Sequence, residues 1–148
     1  MALDRSLVGR SYAPSAVYEV GRVKIAEFAR AIGEDSAIHR DPEAALAAGY
    51  PDVIAPPTFA IAVSLEAAMV VLDDPDVAID YSRVVHGEQR FEHTRPIRAG
   101  DALTVTVTLE TVRSAGGHDM LISRSDVVTV EGEHVAAVRS TLVVRGEG

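Results

Sequence analysis

The spacing of apolar positions divides this chain into a helical first half and a stranded second half. Ile25, Phe28, Ala29 and Ile32 recur at three- and four-residue intervals with polar residues between them, and Gly33 follows as a stop. Arg22 to Ile32 is therefore expected as an amphipathic helix that buries one face. A second, shorter helix is signalled by Asp41 as N-cap, Pro42 at the first helical position, the run Ala44 to Ala48 and Gly49 as terminator. Gly33 to Arg40 between them reads as a loop. After Pro56-Pro57, Thr58 is placed to cap a third helix from Phe59 to about Leu72. Its side chains are apolar almost all round, which predicts a helix buried on most sides.

Beyond Asp73-Asp74-Pro75-Asp76 the period changes to two. Leu103, Val105, Val107 and Leu109 alternate with Thr104, Thr106, Thr108 and Glu110, the signature of a strand with one buried face. Ser114 to Gly117 makes a hairpin turn, Asp119 to Val130 a second strand, Glu131 to Glu133 another turn, and His134 to Val144 a third strand. An earlier strand, Val84 to His93, precedes Pro96 and the turn Ala99-Gly100-Asp101, and a further strand is expected within Ser11 to Val20. No repeat, low-complexity tract or linker interrupts the pattern. Residues 1–148 are expected to form one α+β domain, a single antiparallel sheet wrapped around the apolar helix.

Composition narrows the function. With 148 residues, 47% hydrophobic and 24% charged, the chain supports one real core. Twenty-two acidic against 14 basic side chains give a net charge of −8, so a phosphate backbone meets repulsion, and no basic stripe offsets it. Nucleic acid is not an expected partner. The absence of cysteine excludes disulfides, cysteine zinc sites, iron–sulfur clusters and thiol nucleophiles. Met1 to Arg5 carries an acid and no apolar signal region, and the Phe59 to Leu72 stretch is broken by Ser64 and Glu66. It falls short of the roughly 20 apolar residues of a membrane span. A cytoplasmic location without a span is expected.

Candidate chemistry concentrates in the loop, where Glu34 and His39 lie five apart with Asp35 and Asp41 beside them. A carboxylate and an imidazole brought together divide acid and base roles near neutral pH, although the same residues also serve as solvated loop side chains. His86 on its strand is open to a structural or a ligand-contacting role. His93, His118 and His134 sit near strand ends or turns and read as solvated, with no pair at metal-site spacing. Arg83, Arg90, Arg95 and Arg98 read as surface cations, with reach to a phosphate as the alternative.

Gly33-Glu34-Asp35-Ser36-Ala37-Ile38-His39-Arg40-Asp41 resembles the Gly-Asp-x-Asn-Pro-x-His-x-Asp motif of the MaoC-like, or hydratase-2, branch of the hot-dog fold. Gly33, His39 and Asp41 match; Glu34 stands for the Asp and Ser36-Ala37 for the Asn-Pro pair. Ala55-Pro56-Pro57-Thr58-Phe59 and His86-Gly87-Glu88-Gln89 are similar to the family's N-terminal-type, FAS1-like dehydratase domain. With Arg95 to Asp101 they carry the resemblance over nearly the whole chain, toward the small subunits of bacterial (3R)-hydroxyacyl-carrier dehydratases.

The resemblance implies a hot-dog fold and reversible dehydration of (3R)-hydroxyacyl thioesters, or hydration of trans-2-enoyl thioesters, in fatty-acid metabolism. The substrate would ride on coenzyme A or acyl carrier protein, with no further cofactor and no metal. Carried over by position, His39 and Glu34 become the catalytic pair, removing the C2 proton and protonating the leaving C3 hydroxyl. Active members begin the central helix Ala-His-Gly and use the Gly amide as donor to the thioester oxygen. Here Pro56 and Pro57 occupy the His and Gly positions and have no N–H, so the amides of Thr58 and Phe59 are the candidate substitutes. Thr58, Phe59 and His86 are thus the substrate-binding candidates. Three readings follow: a dehydratase acting as a hot-dog homodimer or with a sister subunit; a non-catalytic acyl-binding partner within a heterodimer, favoured by Glu34 and Pro57; and a hot-dog thioesterase, which the His-Gly-Glu-Gln stretch opposes. Residues of the helix Phe59 to Leu72 serve as core or as the wall of an acyl tunnel.

Overall fold

The computed structural model describes residues 3–147. Helix α1 spans Arg22–Ala31 and ends where Gly33 takes a positive φ of 75°, a conformation that glycine adopts without strain. Ile25 and Ala29 are buried, and Phe28 meets Phe59 edge to face with ring centroids 5.4 Å apart. Ile32 caps the helix and is half exposed. Helix α2, Pro42–Ala47, starts as expected: the Asp41 carboxylate accepts the Glu43 N–H at 3.0 Å. The intervening segment is more ordered than a plain loop, because Ala37–His39 forms a 3-10 turn.

The central helix departs from expectation at both its start and its surface. A 3-10 turn, Pro57–Phe59, precedes helix α3, Ala60–Asp73, and Thr58 lies inside that turn and does not cap the helix. Ala60, Val63, Ser64 and Val71 are buried, but Leu65 is 58% exposed and Met69 and Val70 are each 37% exposed. Only one side of α3 is pressed against β3, β4 and β5, so the all-round apolar pattern overstates its burial.

Five antiparallel strands form one sheet: β1 Tyr18–Glu19, β2 Val84–His93, β3 Ala102–Ala115, β4 His118–Thr129 and β5 His134–Val144, in the order β1-β3-β4-β5-β2. The strand expected within Ser11 to Val20 is regular only at its last residues. Upstream, Ser11 bridges Thr108, and the Tyr12 and Ser15 N–H groups donate to the Val107 and Val105 carbonyls. Pro14 between them has no N–H to offer a ladder. The β3–β4 hairpin turns through Gly116 and Gly117, both with positive φ (61° and 79°), which matches the twist of the strands.

The inner face of the sheet carries Leu103, Val105, Val107 and Leu109 of β3 with Leu121 and Val127 of β4, all buried, and meets α3. Two ion-pair clamps fix the edges of this core. Arg95 forks onto Asp101 at 2.9 Å and also holds Glu133 at 3.0 Å, joining the segment after β2 to the start of β3 and to the β4–β5 turn. Arg10 and the Tyr12 hydroxyl both bind Asp74 (2.8 and 2.7 Å), tying the N-terminal segment to the end of α3. No helix is long and apolar enough to cross a membrane among the described residues.

Candidate functional site

His39 closes the 3-10 turn after α1. That turn is positioned by the Glu34 N–H donating to Ala29 O at 2.8 Å and by Ile54 N–H donating to Ile38 O at 3.1 Å. Residues 53–55 in turn pair with 97–99, through Ala55 N–H to Ile97 O (2.7 Å) and Ala99 N–H to Val53 O (3.0 Å). The His39 side chain is 94% buried by this frame: it is 6% exposed, and its Nδ1 lies 2.6 Å from the Ile54 carbonyl oxygen. A carbonyl only accepts, so Nδ1 carries a proton in this contact, which leaves Nε2 as the ring nitrogen directed away from it.

Glu34 is exposed, and its Oε1 accepts the Ser36 N–H at 3.1 Å, closing a local turn. His39 and Glu34 line one cavity of about 190 Å³, together with Ala29, Arg30, Ser36 and Arg40. No hydrogen bond joins the two side chains among the described residues; the group that orients His39 is the Ile54 carbonyl, not a carboxylate. Asp41 is spent on capping α2.

A second and larger cavity, about 590 Å³, lies between the open side of α3 and the inner face of β2 and β5. Ile61, Leu65 and Met69 of α3 face Val84, Phe91 and Leu142 across it. Its volume is in the range of small-ligand pockets, about 300–1,000 Å³. Thr58 and His86, both expected to bind substrate, are in its wall. Phe59 is not: its ring is fully buried in the core, edge to face against both Tyr18 and Phe28. Its amide is also engaged, donating to Pro56 O at 2.9 Å, which leaves the Thr58 N–H as the remaining backbone donor of that turn.

The sheet side of this cavity holds polar residues that the sequence motifs did not single out. Ser140 Oγ donates to Gln89 Oε1 at 2.7 Å, Gln89 Nε2 donates to Arg139 O at 3.0 Å, and His86 Nε2 lies 3.1 Å from Gln89 Oε1. Ser123, 7% exposed, sits beside Ser140 in the β4–β5 register and lines the same space. The available signal was the intrusion of Ser123 into the apolar phase of β4, between Leu121 and Val127. The two cavities share no lining residue.

The remaining candidates are mostly structural. Arg95 is committed to Asp101 and Glu133, Arg83 faces Asp80 at 3.3 Å, and Arg90 lies 4.0 Å from Glu88. His93 is half-buried, and that burial holds its pKa below the ordinary histidine value. His134 is bracketed by Thr94 (3.0 Å) and Asp126 (3.1 Å), and His118 accepts the Gly146 N–H, so none of the three is simply solvated. No cluster of three or more metal-ligating side chains occurs among the described residues.

Comparison with known proteins bears on family and fold. The chain is 56% identical to a UPF0336 protein of Saccharopolyspora erythraea over 99% of this chain and 94% of the relative. It is 55% identical to a UPF0336 protein of Streptomyces coelicolor, over 98% of this chain and 97% of that one. Among solved structures, a MaoC-like dehydratase superposes with a TM-score of 0.86 at 33% identity; 95% of this chain is covered, but only 43% of that longer chain. A chain of the truncated HadBC complex of Mycobacterium tuberculosis, a (3R)-hydroxyacyl-ACP dehydratase, superposes with a TM-score of 0.81 at 26% identity, covering 96% of this chain and 99% of that one. The curled five-stranded sheet around a central helix is thus the hot-dog fold. Residues 6–138 match the family described as FAS1-like, dehydratase domain region, and the chain belongs to that family of MaoC-like hot-dog dehydratases.

Proposed function

We propose that this chain is the acyl-binding component of a (3R)-hydroxyacyl-thioester dehydratase, equivalently a trans-2-enoyl-thioester hydratase, working beside a sister hot-dog chain that supplies the acid–base pair. The observation that carries this reading is the separation of the two cavities. The roomy apolar one has space for an acyl chain, and none of its lining is shared with the small pocket of His39 and Glu34. Catalysis needs the reacting carbons within about 3–3.5 Å of the base, and Glu34 is turned toward its own loop at Ser36. Pro56 and Pro57 further remove the amides that would polarise the thioester oxygen, leaving only that of Thr58.

The sheet favours a partner. Strand β2 is bonded through β5 on one side and forms an edge of the sheet on the other. An unpaired edge next to exposed Leu65, Tyr81 and Val85 is suited to pairing with a second hot-dog unit. Hot-dog neighbours of this chain come from two-chain assemblies, the HadBC and ChsH1–ChsH2 complexes, the second similar in fold alone. In this reading the acyl group arrives on coenzyme A or acyl carrier protein.

A self-sufficient hydratase is the second reading, favoured by His39, whose ring is oriented by the Nδ1 bond to Ile54 with Nε2 as its other nitrogen. One assay separates them: loss of enoyl-thioester absorbance on adding crotonyl- or decenoyl-CoA to the purified chain, alone and co-purified with its sister chain. Turnover only in the two-chain preparation is expected. Turnover by the chain alone that disappears in His39→Ala overturns the partner reading.

A further inference from the structure

The large cavity is apolar at both ends of its sheet wall but not in the middle. The strand register sets Gln89 of β2 opposite Ser140 of β5, and Ser140 beside Ser123 of β4. These three make a polar row running across the strands under α3. On one side of the row lies Phe91; on the other His86, bonded to Gln89, is followed by the apolar Leu142 and Val84. A saturated chain laid along this wall would cover polar groups with hydrocarbon at mid-length, and a buried polar group left without a partner is costly.

The row is also organised to accept a ligand. Gln89 Oε1 is occupied by Ser140 Oγ–H and by His86 Nε2, and one Gln89 N–H is occupied by Arg139 O. These bonds hold the row rigid. The lone pairs of Ser140 Oγ and the hydroxyl of Ser123, in a side chain more than nine-tenths buried, remain to face the cavity. Acceptor and donor side by side suit an alcohol, which needs both; the Ser123 hydroxyl alone suits a ketone.

Resting on the acyl-binding reading, we infer that this cavity selects acyl thioesters bearing an oxygen function, a hydroxyl or a ketone, within the chain beyond C3, held by Ser123 and Ser140 with Gln89 as the positioning residue. The reacting hydroxyl of a plain 3-hydroxyacyl group is next to the thioester, whereas the polar row, with His86 at its margin, is flanked by Phe91 on one side and by Leu142 and Val84 on the other. The recognised oxygen therefore has hydrocarbon before and after it.

The test is equilibrium binding, by calorimetry, of decanoyl-CoA and of its 3-, 5- and 7-hydroxy derivatives to the full chain, alone and assembled with its sister. The 5- or 7-hydroxy compound should bind about tenfold tighter than decanoyl-CoA, the size of one well-formed hydrogen bond. The double variant Ser123→Ala, Ser140→Ala, checked for native circular dichroism, should lose that preference and bind decanoyl-CoA more tightly than the wild type. If the variant does not fold, the wild-type comparison decides alone. Preference for the 3-hydroxy compound only, or equal binding of all four, overturns the inference while leaving acyl binding intact. Failure of all four to bind overturns the acyl-binding reading with it.

Discussion

His39 shows how a single buried bond can matter more than a motif. Its Nδ1–H is the partner of the Ile54 carbonyl, and the segment carrying that carbonyl is itself held by residues 97–99. Removing the ring leaves the carbonyl unpaired in the interior, so His39→Ala should lower stability by about 1–3 kcal/mol in denaturant titration. In the proposed two-chain dehydratase the same change should alter turnover only a few-fold once the assembly is folded. Asp74 offers a test by pH. The Tyr12 hydroxyl and then Arg10 hold its carboxyl down to about 2, from an ordinary value near 3.8. A depressed carboxylate contributes fully above the unfolded value and loses its contribution as pH falls from about 4 to about 2. Acid unfolding of Asp74→Asn, followed by circular dichroism, should therefore lack the wild-type loss of stability in that window. Of the residues the motifs singled out, Thr58 and His86 line the large cavity, whereas the Phe59 ring lies in the core. Neighbours on a 3-10 turn point about 120° apart, so a turn that puts Thr58 in a cavity wall sends Phe59 into the core.

The strands were legible wherever one face is buried and the other wet. The alternation from Leu103 to Leu109 survives intact in β3, and β2 and β5 occupy the residues the pattern assigns. Ser11 to Val20 was not legible, because an edge segment containing Pro14 runs beside β3 without a continuous ladder. Helix α3 misleads for a different reason: an all-apolar sequence carries no direction, and its open side borders a cavity rather than more core. The clamp between elements was hidden too, since Arg95 looks like a surface cation until Asp101 and Glu133 are brought to it. Asp101 is 8% exposed, so Arg95→Ala strands a buried charge and should cost about 3–5 kcal/mol in chemical denaturation. Arg95→Lys should recover only part, because an ammonium cannot reproduce the two-pronged contact with Asp101.

At the scale of the molecule, local patterns name the strands but not their neighbours. The chain leaves α3, reaches the far edge as β2, and returns across the sheet to begin β3 beside β1; that order depends on pairings between distant segments. The same long-range pairing makes the large cavity, whose wall combines one side of α3 with β2, β4 and β5, and it keeps that cavity apart from the His39 loop. The proposed division of labour, with this chain contributing the acyl site and a partner at the β2 edge the chemistry, rests on this layout. The most direct test fills the cavity without touching the loop. Ala68 on α3 faces the cavity, and Ala68→Phe should occupy the space of the distal acyl chain. In the assembled dehydratase, kcat/KM for decenoyl-CoA should fall at least about tenfold while that for crotonyl-CoA changes less than about threefold, since only the longer chain needs the filled volume. Equal loss with both substrates, or none with either, would contradict the assignment of this cavity to the acyl chain.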